Sequence, residues 1–522
     1  MKITLQKGER VVETAYDAPQ YLSDVLLEHG FAPDMPCGGQ GRCGKCKVVA
    51  TGALSPVHPN ETALLTKQEL NAAWRLACLT QAVGDAMVSL PDAQAVLTLH
   101  DGPQDHTALR PWAKGIGLAV DIGTTTIAAY LYRLDTGEQL ASSGAQNPQR
   151  AFGADVITRM THALRGKGEE LARVVRDGID ELLKRLLNEA GRSLDELGGA
   201  VITGNSTMLY LLCNLDVSCL AFAPFAQDRM FGEFLDAREL FPSWPKGCRV
   251  YLPRCVSAYV GADITCSMLS SGLCDAKEPT LLADIGTNGE IALYDGGRLL
   301  CCSTAAGPAF EGALIYKGSL AAPGAIDRIW LAQGTLQSHV IGGGEATGIC
   351  GSGLLDALNA MLTLGLVDST GRMDRERARE LGRYIEINGQ PAVTISGDVP
   401  IIQADVRAVQ LAKASILAGI ETLLHYAGRG AGEIDALLLA GGFGSFLSPW
   451  SAQGIGLIPH GIAGRTRALG NAAGAGAIML LLDEGAIDES LKIANRAQTV
   501  ELSTDAFFME HYIGNMAFEL FV

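Results

Sequence analysis

Cys37-Gly38-Gly39-Gln40-Gly41-Arg42-Cys43-Gly44-Lys45-Cys46 sets three thiols in a glycine-rich run, and Cys78 follows 32 residues after Cys46. Four thiolates close the coordination of a [2Fe-2S] centre, so Cys37, Cys43, Cys46 and Cys78 are the candidate ligands. Glycine lets the backbone wrap tightly and turn its amides toward cluster sulfurs. A structural zinc site or buried free thiols are the alternatives. Zinc usually takes two short cysteine hairpins, and Cys78 has no such close partner.

The flanking sequence reads as a small α/β domain. Lys2–Leu5 and Glu9–Tyr16 suggest two strands joined by Lys7-Gly8. Tyr21–His29 carries Leu22, Val25 and Leu26 on one helical face and stops at Gly30. Lys45–Ala50 and Ala86–Leu90 read as further strands, with Cys78 on Trp74–Gln81. The first gap of five between cysteines resembles the adrenodoxin-like [2Fe-2S] ferredoxins. That resemblance implies a β-grasp ferredoxin domain over residues 1–92.

A chain of 522 residues exceeds one core, so several domains are expected. A net charge of −16 argues against nucleic acid or an anionic membrane surface as partner. No apolar run reaches bilayer length and Met1–Leu5 enters a strand without a leader-like segment, so a cytoplasmic, non-membrane protein is expected. Thirteen cysteines then read as reduced thiols and metal ligands. The vicinal pair Cys301-Cys302 reads as structural, on opposite faces of a strand.

Residues 93–116 are proline-containing and aperiodic, as in a flexible linker. Beyond them an internal repeat appears. Gly117-Leu118-Ala119-Val120-Asp121-Ile122-Gly123-Thr124-Thr125-Thr126 is echoed by Thr280-Leu281-Leu282-Ala283-Asp284-Ile285-Gly286-Thr287-Asn288-Gly289-Glu290, 163 residues later. Each copy reads strand, tight turn, strand, turn, strand. Long helices follow, among them Glu169–Ala190 and Asp405–Tyr426. A repeat at this spacing predicts a duplicated α/β fold with halves 117–278 and 279–522. An Asp at a strand end followed by Gly-Thr suits phosphate and Mg²⁺: amides and hydroxyls meet phosphate oxygens, and the carboxylate takes the metal directly or through water. Asp121 and Asp284 are therefore the candidate catalytic residues, with Asp284 preferred to orient the attacking water.

These loops, with Thr203-Gly204-Asn205-Ser206, Gly351-Ser352-Gly353 and the glycine-ended strand Leu437–Gly444, resemble the actin/sugar-kinase/Hsp70-type ATPases (ribonuclease H-like). The resemblance implies ATP contacts from Gly123, Thr124, Thr125 and Thr126, and from Gly286, Thr287 and Asn288. It implies an adenosine motif of Gly441, Gly442, Phe443 and Gly444, and connecting segments contributing Gly204, Asn205, Gly351, Ser352 and Gly353. A [2Fe-2S] domain fused to such an ATPase resembles the reductive activators of corrinoid proteins. That implies ATP-dependent reduction of a Co(II) cobamide to Co(I) on the corrinoid protein of a methyltransferase system, fed by a low-potential electron donor. An ATP-driven activator of another radical or dehydratase enzyme, a small-molecule kinase of the same fold, or an electron carrier with a degenerate ATPase are the other readings.

Overall fold

The computed structural model describes residues 1–8, 10–91, 109–442 and 447–519. Glu9, most of the expected linker, Phe443 and Gly444 lie outside the described residues.

The N-terminal sheet runs Arg10–Ala15, Lys2–Lys7, Gln81–Ser89, Lys47–Leu54, Trp74–Leu76, with the two-residue strand Gln20–Tyr21 against Gln81–Ser89. Lys2–Lys7 pairs parallel to Gln81–Ser89, and the helix Leu22–Glu28 buries Leu22, Val25 and Leu26 beneath them. This is the β-grasp arrangement. Two short helices, Pro59–Leu64 and Lys67–Asn71, were not foreseen. Their capping boxes fall in segments too short to show a period.

The first of these helices carries Glu61, which is fully buried. Its carboxylate accepts from Arg75 Nε (3.0 Å) and Nη2 (2.9 Å), Leu76 N (2.8 Å), Thr80 Oγ1 (3.1 Å) and His58 N (2.9 Å). Leu76 and Thr80 bracket Cys78, so this one carboxylate fixes the segment that presents the fourth cysteine. Burial opposes its charge, but Arg75 and the amides of Leu76 and His58 outweigh burial and hold the carboxyl below its usual range. A depressed folded pKa means the stabilisation is present above the unfolded value and is lost as pH falls through the folded one. Glu61→Ala leaves Arg75 buried without its partner and is expected to cost about 3–5 kcal/mol. Thermal unfolding of the ferredoxin domain, followed through its visible absorbance, measures this; an unchanged transition would contradict it.

The rest of the chain is a duplicated α/β body. The first sheet runs Glu233–Asp236, Arg249–Leu252, Leu197–Gly204, Ile116–Ile122, Thr126–Arg133, Glu138–Gln146. The second runs Thr466–Gly470, Ala436–Ala440, Thr280–Ile285, Gly289–Tyr294, Leu299–Thr304, Gln498–Thr499. The repeat strands, Ile116–Ile122 in the first sheet and Thr280–Ile285 in the second, each lie inside their sheet, parallel to one neighbour and antiparallel to the hairpin partner that follows. Both strands are buried on both faces, which explains their continuous apolar character. Helices Gly168–Ala190 and Gln403–Ala427 cover the outer faces. Cys301 and Cys302 do face opposite ways, Cys301 toward Met268 and Cys302 toward the Gly419 carbonyl.

Two further helices, Ala262–Ser271 and Ala472–Leu482, lie between the sheets and share one apolar core with both. They cross closely at Gly476, where a Cβ would stand 2.2 Å from the Cys266 carbonyl oxygen. Only glycine permits that approach, and the crossing holds the N-termini of both helices at the mouth between the halves.

The described end of the expected linker is docked rather than loose. Arg110 pairs with Asp483 at 2.9 Å and Trp112 Nε1 donates to the Leu480 carbonyl at 2.8 Å. Trp112 also packs edge-on against Phe234. An indole and a guanidinium supply enough contact to hold the chain there, a signal that proline content alone obscures.

Candidate functional site

Two sites emerge, one of sulfur and one of oxygen ligands. In the first, the loop after the helix Leu22–Glu28 brings Cys37, Cys43 and Cys46 against Cys78, which lies between the strands Trp74–Leu76 and Gln81–Ser89. Cys37, Cys46 and Cys78 are buried and Cys43 is half-buried. The sulfurs stand as two pairs, Cys37 with Cys43 at 3.2 Å and Cys46 with Cys78 at 3.3 Å. Gly41 has φ +67°, and a Cβ there would strike Leu79 Cδ2 at 2.6 Å, so the loop closes over the Cys78 segment only with glycine. The amides of Gln40, Arg42 and Cys43 point at the Cys37 sulfur, that of Lys45 at Cys43 and that of Gly41 at Cys78. The Cys43 thiol donates to Cys37 and, with those amides, pulls it down to about 5. Cys46 likewise lowers Cys78 and is itself pushed up by donating to it and by burial. Amide donors aimed at sulfur, with paired rather than single-ion spacing, fit a two-iron group better than zinc.

The second site is the cleft between the halves, lined by residues of both. The walls include Asp121, Gly123, Thr124, Thr125 and Thr126 from the first loop, and Asp284, Gly286, Thr287 and Asn288 from the second. Asn205, Gly351, Ser352, Gly441 and Gly442 also line it. Gly204 and Gly353 do not. A Cβ on Gly204 would meet the Ile122 carbonyl oxygen at 2.8 Å, and one on Gly353 the Ile326 carbonyl oxygen at 2.3 Å. Both are packing glycines behind the wall. Gly351-Ser352-Gly353 is the first turn of the helix Gly351–Thr363 rather than a loop before it.

Sequence reasoning passed over four polar wall residues: Asp263, Glu290, Glu311 and Asn471. Asp263 is in the first turn of Ala262–Ser271, and Asn471 caps Ala472–Leu482 through Gly474 N. The helices Ala262–Ser271, Gly351–Thr363 and Ala472–Leu482 thus all begin at the cleft, where free amides and helix dipoles favour an anion. Glu290 lies directly across the hairpin from Asp284, so alternation puts both on one face. Its position inside the quoted repeat was the available signal. Glu311 accepts from Thr125 Oγ1 and from Thr287 Oγ1 (2.5 Å), one hydroxyl from each loop.

Burial raises Asp121 to about 7, with Asp284 adding to it, and raises Asp284 to about 6. Asp263 goes to about 8 through burial and then the charges of Asp284 and Asp121, and Glu290 is pushed up by burial and the charges of Asp263 and Asp284. Glu290 Oε1 is buried without a hydrogen-bond partner. Such a group of acids, deficient in positive charge, suits a divalent cation. Among the described residues no three acids converge at the spacing of ligands to one ion. Mg²⁺ does not require that, since it takes one or two carboxylates and keeps several waters.

The first loop is held from behind by Arg159, which is fully buried and donates to the Thr124 and Gly153 carbonyls. Burial lowers its guanidinium to about 9, still charged at neutral pH. Asn147 Nδ2 donates to the Gly123 carbonyl at 2.8 Å.

Among the described residues no helix is long and apolar enough to cross a membrane. Residues 6–83 match the model of the 2Fe-2S iron-sulfur cluster binding domain, 116–276 that of the RACo middle region, and 278–520 that of the C-terminal domain of RACo, the ASKHA domain. The chain is 34% identical over 422 residues to the corrinoid activation enzyme RamQ of Eubacterium limosum, covering 77% of this chain and 70% of the relative. It is 27% identical over 438 residues to the [Co(II) methylated amine-specific corrinoid protein] reductase of Methanosarcina barkeri, covering 77% of each. A solved structure described as a reductive activator for corrinoid, iron-sulfur protein superposes with a TM-score of 0.75 at 27% identity, covering 99% of this chain and 98% of the other. With a cysteine loop, a two-lobed cleft and relatives of this kind along its length, this chain belongs to the family of reductive activators of corrinoid proteins.

Proposed function

We propose that this protein uses ATP to drive one-electron reduction of a Co(II) cobamide, carried by a partner corrinoid protein, to Co(I). The observation that carries the reading is the presence in one chain of a four-cysteine site and a cleft with two Asp-Ile-Gly-Thr loops facing each other. The relatives' names point to the same partner class. A corrinoid protein of a methyltransferase system is the proposed partner, and a low-potential electron carrier the proposed donor.

A [2Fe-2S] cluster held by Cys37 and Cys43 on one side and Cys46 and Cys78 on the other would supply a one-electron carrier. Mg²⁺ held through Asp121, Asp284 and their waters would neutralise phosphate charge. The chain's own groups do the rest. Thr124 presents its hydroxyl to the phosphates, and Thr125 and Thr287 do so on turning from Glu311, to which both donate. The N-termini of three helices add amide donors. Asp284 orients the attacking water, with Asp263 and Glu290 beside it holding or releasing the proton.

Co(I) is a strong reductant, and each ~59 mV uphill costs tenfold in a one-electron equilibrium. Nucleotide offsets this only by binding two states of the complex differently. Closure of the halves over ATP is the proposed switching element. Stopped-flow absorbance of the cobamide tests the coupling. Co(I) is expected to accumulate with Mg-ATP and a reduced donor, and to stay near baseline without nucleotide. Equal rate and extent without Mg-ATP would remove the ATPase as driver.

A further inference from the structure

The cysteine loop is tied to both halves of the ATPase at once. On one side Asp34 Oδ1 pairs with Arg150 Nε at 3.0 Å, and the Pro36 carbonyl, next to Cys37, accepts from Ala154 N at 3.0 Å. On the other, Lys45 Nζ donates to the Gly318 carbonyl at 3.0 Å. Lys45 stands in the chain between Cys43 and Cys46.

Both anchors lead straight to the nucleotide cleft. Arg150 lies in the short 3-10 helix Pro148–Phe152. That helix hangs from the first phosphate loop through Asn147, whose amide donates to the Thr125 carbonyl at 2.8 Å and whose Nδ2 donates to the Gly123 carbonyl at 2.8 Å. Gly318 is bridged to Ile349, with Ser319 N to the Ile349 carbonyl and Ile349 N to the Lys317 carbonyl, both 2.9 Å. Ser319, Cys350, Gly351 and Ser352 line the cleft itself.

The junction is poorly balanced as it stands. Arg150 is buried and its Nη1 has no partner. Lys45 lies among Asp34, Arg150 and, across the seam, the fully buried Asp405, which accepts from Tyr316 N at 2.9 Å. Charges removed from water have steep distance dependence. A small change in the separation of the halves therefore changes which contacts this cluster of charges can keep.

We infer that Lys45, Asp34 and Arg150 are positioning residues through which nucleotide occupancy of the cleft alters the environment of the cysteine loop. The inference rests on the proposed function above, because it requires that the cleft bind nucleotide. Arg150 travels with the first phosphate loop and Gly318 with the opposite wall. Closure changes their separation, and a loop held to both cannot follow both unchanged. The side chain between two cluster ligands then takes a new partner or a new distance, and the hydrogen-bonding field at the sulfurs changes with it.

The test uses the full-length, cluster-loaded chain reduced with dithionite. EPR g-values and the midpoint potential are recorded with and without Mg-AMP-PNP, and nucleotide affinity is measured separately by calorimetry. In the wild type, nucleotide is expected to shift the cluster signal and potential. In Lys45→Met and in Arg150→Met the shift is expected to fall by at least half, with iron content and nucleotide affinity unchanged. Lys45→Arg is expected to restore part of it. A purely structural role would lower iron content or affinity and leave the nucleotide-induced shift intact in the remaining loaded protein. A full-sized shift in both methionine variants, or nucleotide binding to the wild type with no shift, overturns the inference. A wild type that binds no nucleotide sinks the proposed function itself.

Discussion

Cys78→Ala is expected to end electron delivery while ATP hydrolysis continues. Cys78 is the one ligand outside the loop, and Cys46 at 3.3 Å is left without its pair. One iron then has a single protein sulfur, too few to close its coordination. The ferredoxin core should survive, because Leu76, Ala77 and Ala82 remain buried around the position and Glu61 still fixes the segment. The second ATPase half and the helices between the sheets have their own cores, and the core that the first half shares with the ferredoxin domain keeps its apolar side chains. The expected readouts are loss of the two-iron content, loss of the S = 1/2 EPR signal on reduction, and no Co(I), alongside phosphate release at near wild-type rate. A variant with an unchanged visible and EPR spectrum would remove Cys78 from the ligand set.

Asp284→Ala is expected to slow hydrolysis on the order of 10²-fold or more, the scale of losing a positioned carboxylate in phosphoryl transfer. Nucleotide binding should persist. The Thr hydroxyls and helix N-termini are untouched, and removing one carboxylate relieves its repulsion of Asp263, Asp121 and Glu290. Burial raises the Asp284 carboxyl to about 6 and a cation bound beside it favours the anion, so hydrolysis that needs this anion is expected to fall only as pH drops below that value. Phosphate release and calorimetry on the same preparation separate rate from affinity. Asp121→Ala should weaken Mg²⁺–nucleotide binding as well as rate. Hydrolysis at wild-type rate in both variants would take the chemistry out of these two loops.

Local chemistry carried most of the sequence reading. Cysteine spacing, the glycines between the cysteines and the late Cys78 specify a three-thiol loop and a distant fourth thiol with no knowledge of the surroundings. The repeated Asp-Ile-Gly-Thr hairpins are local as well. Alternation and strand length predict each hairpin, and repetition at 163 residues implies two matching sheets. What lies far apart in sequence was hidden. Asp263 and Asn471 enter the cleft from the starts of helices Ala262–Ser271 and Ala472–Leu482, which cross at Gly476, and Glu311 enters from the short 3-10 helix Pro308–Glu311. Gly204 and Gly353 look like ligand-facing glycines in sequence, yet neighbouring backbone carbonyls occupy the space a side chain would need. Linker composition suggested a flexible tether on the ferredoxin domain. Docking of Asp34, Pro36 and Lys45 onto both halves came from burial and charge pairing across the three domains, which no local pattern encodes. Sequence alone determined which atoms the two sites offer, because ligand type and turn chemistry are properties of neighbouring residues. Tertiary structure decided which of those atoms meet, and joined the two sites through one buried junction, because that outcome depends on how separately encoded surfaces pack.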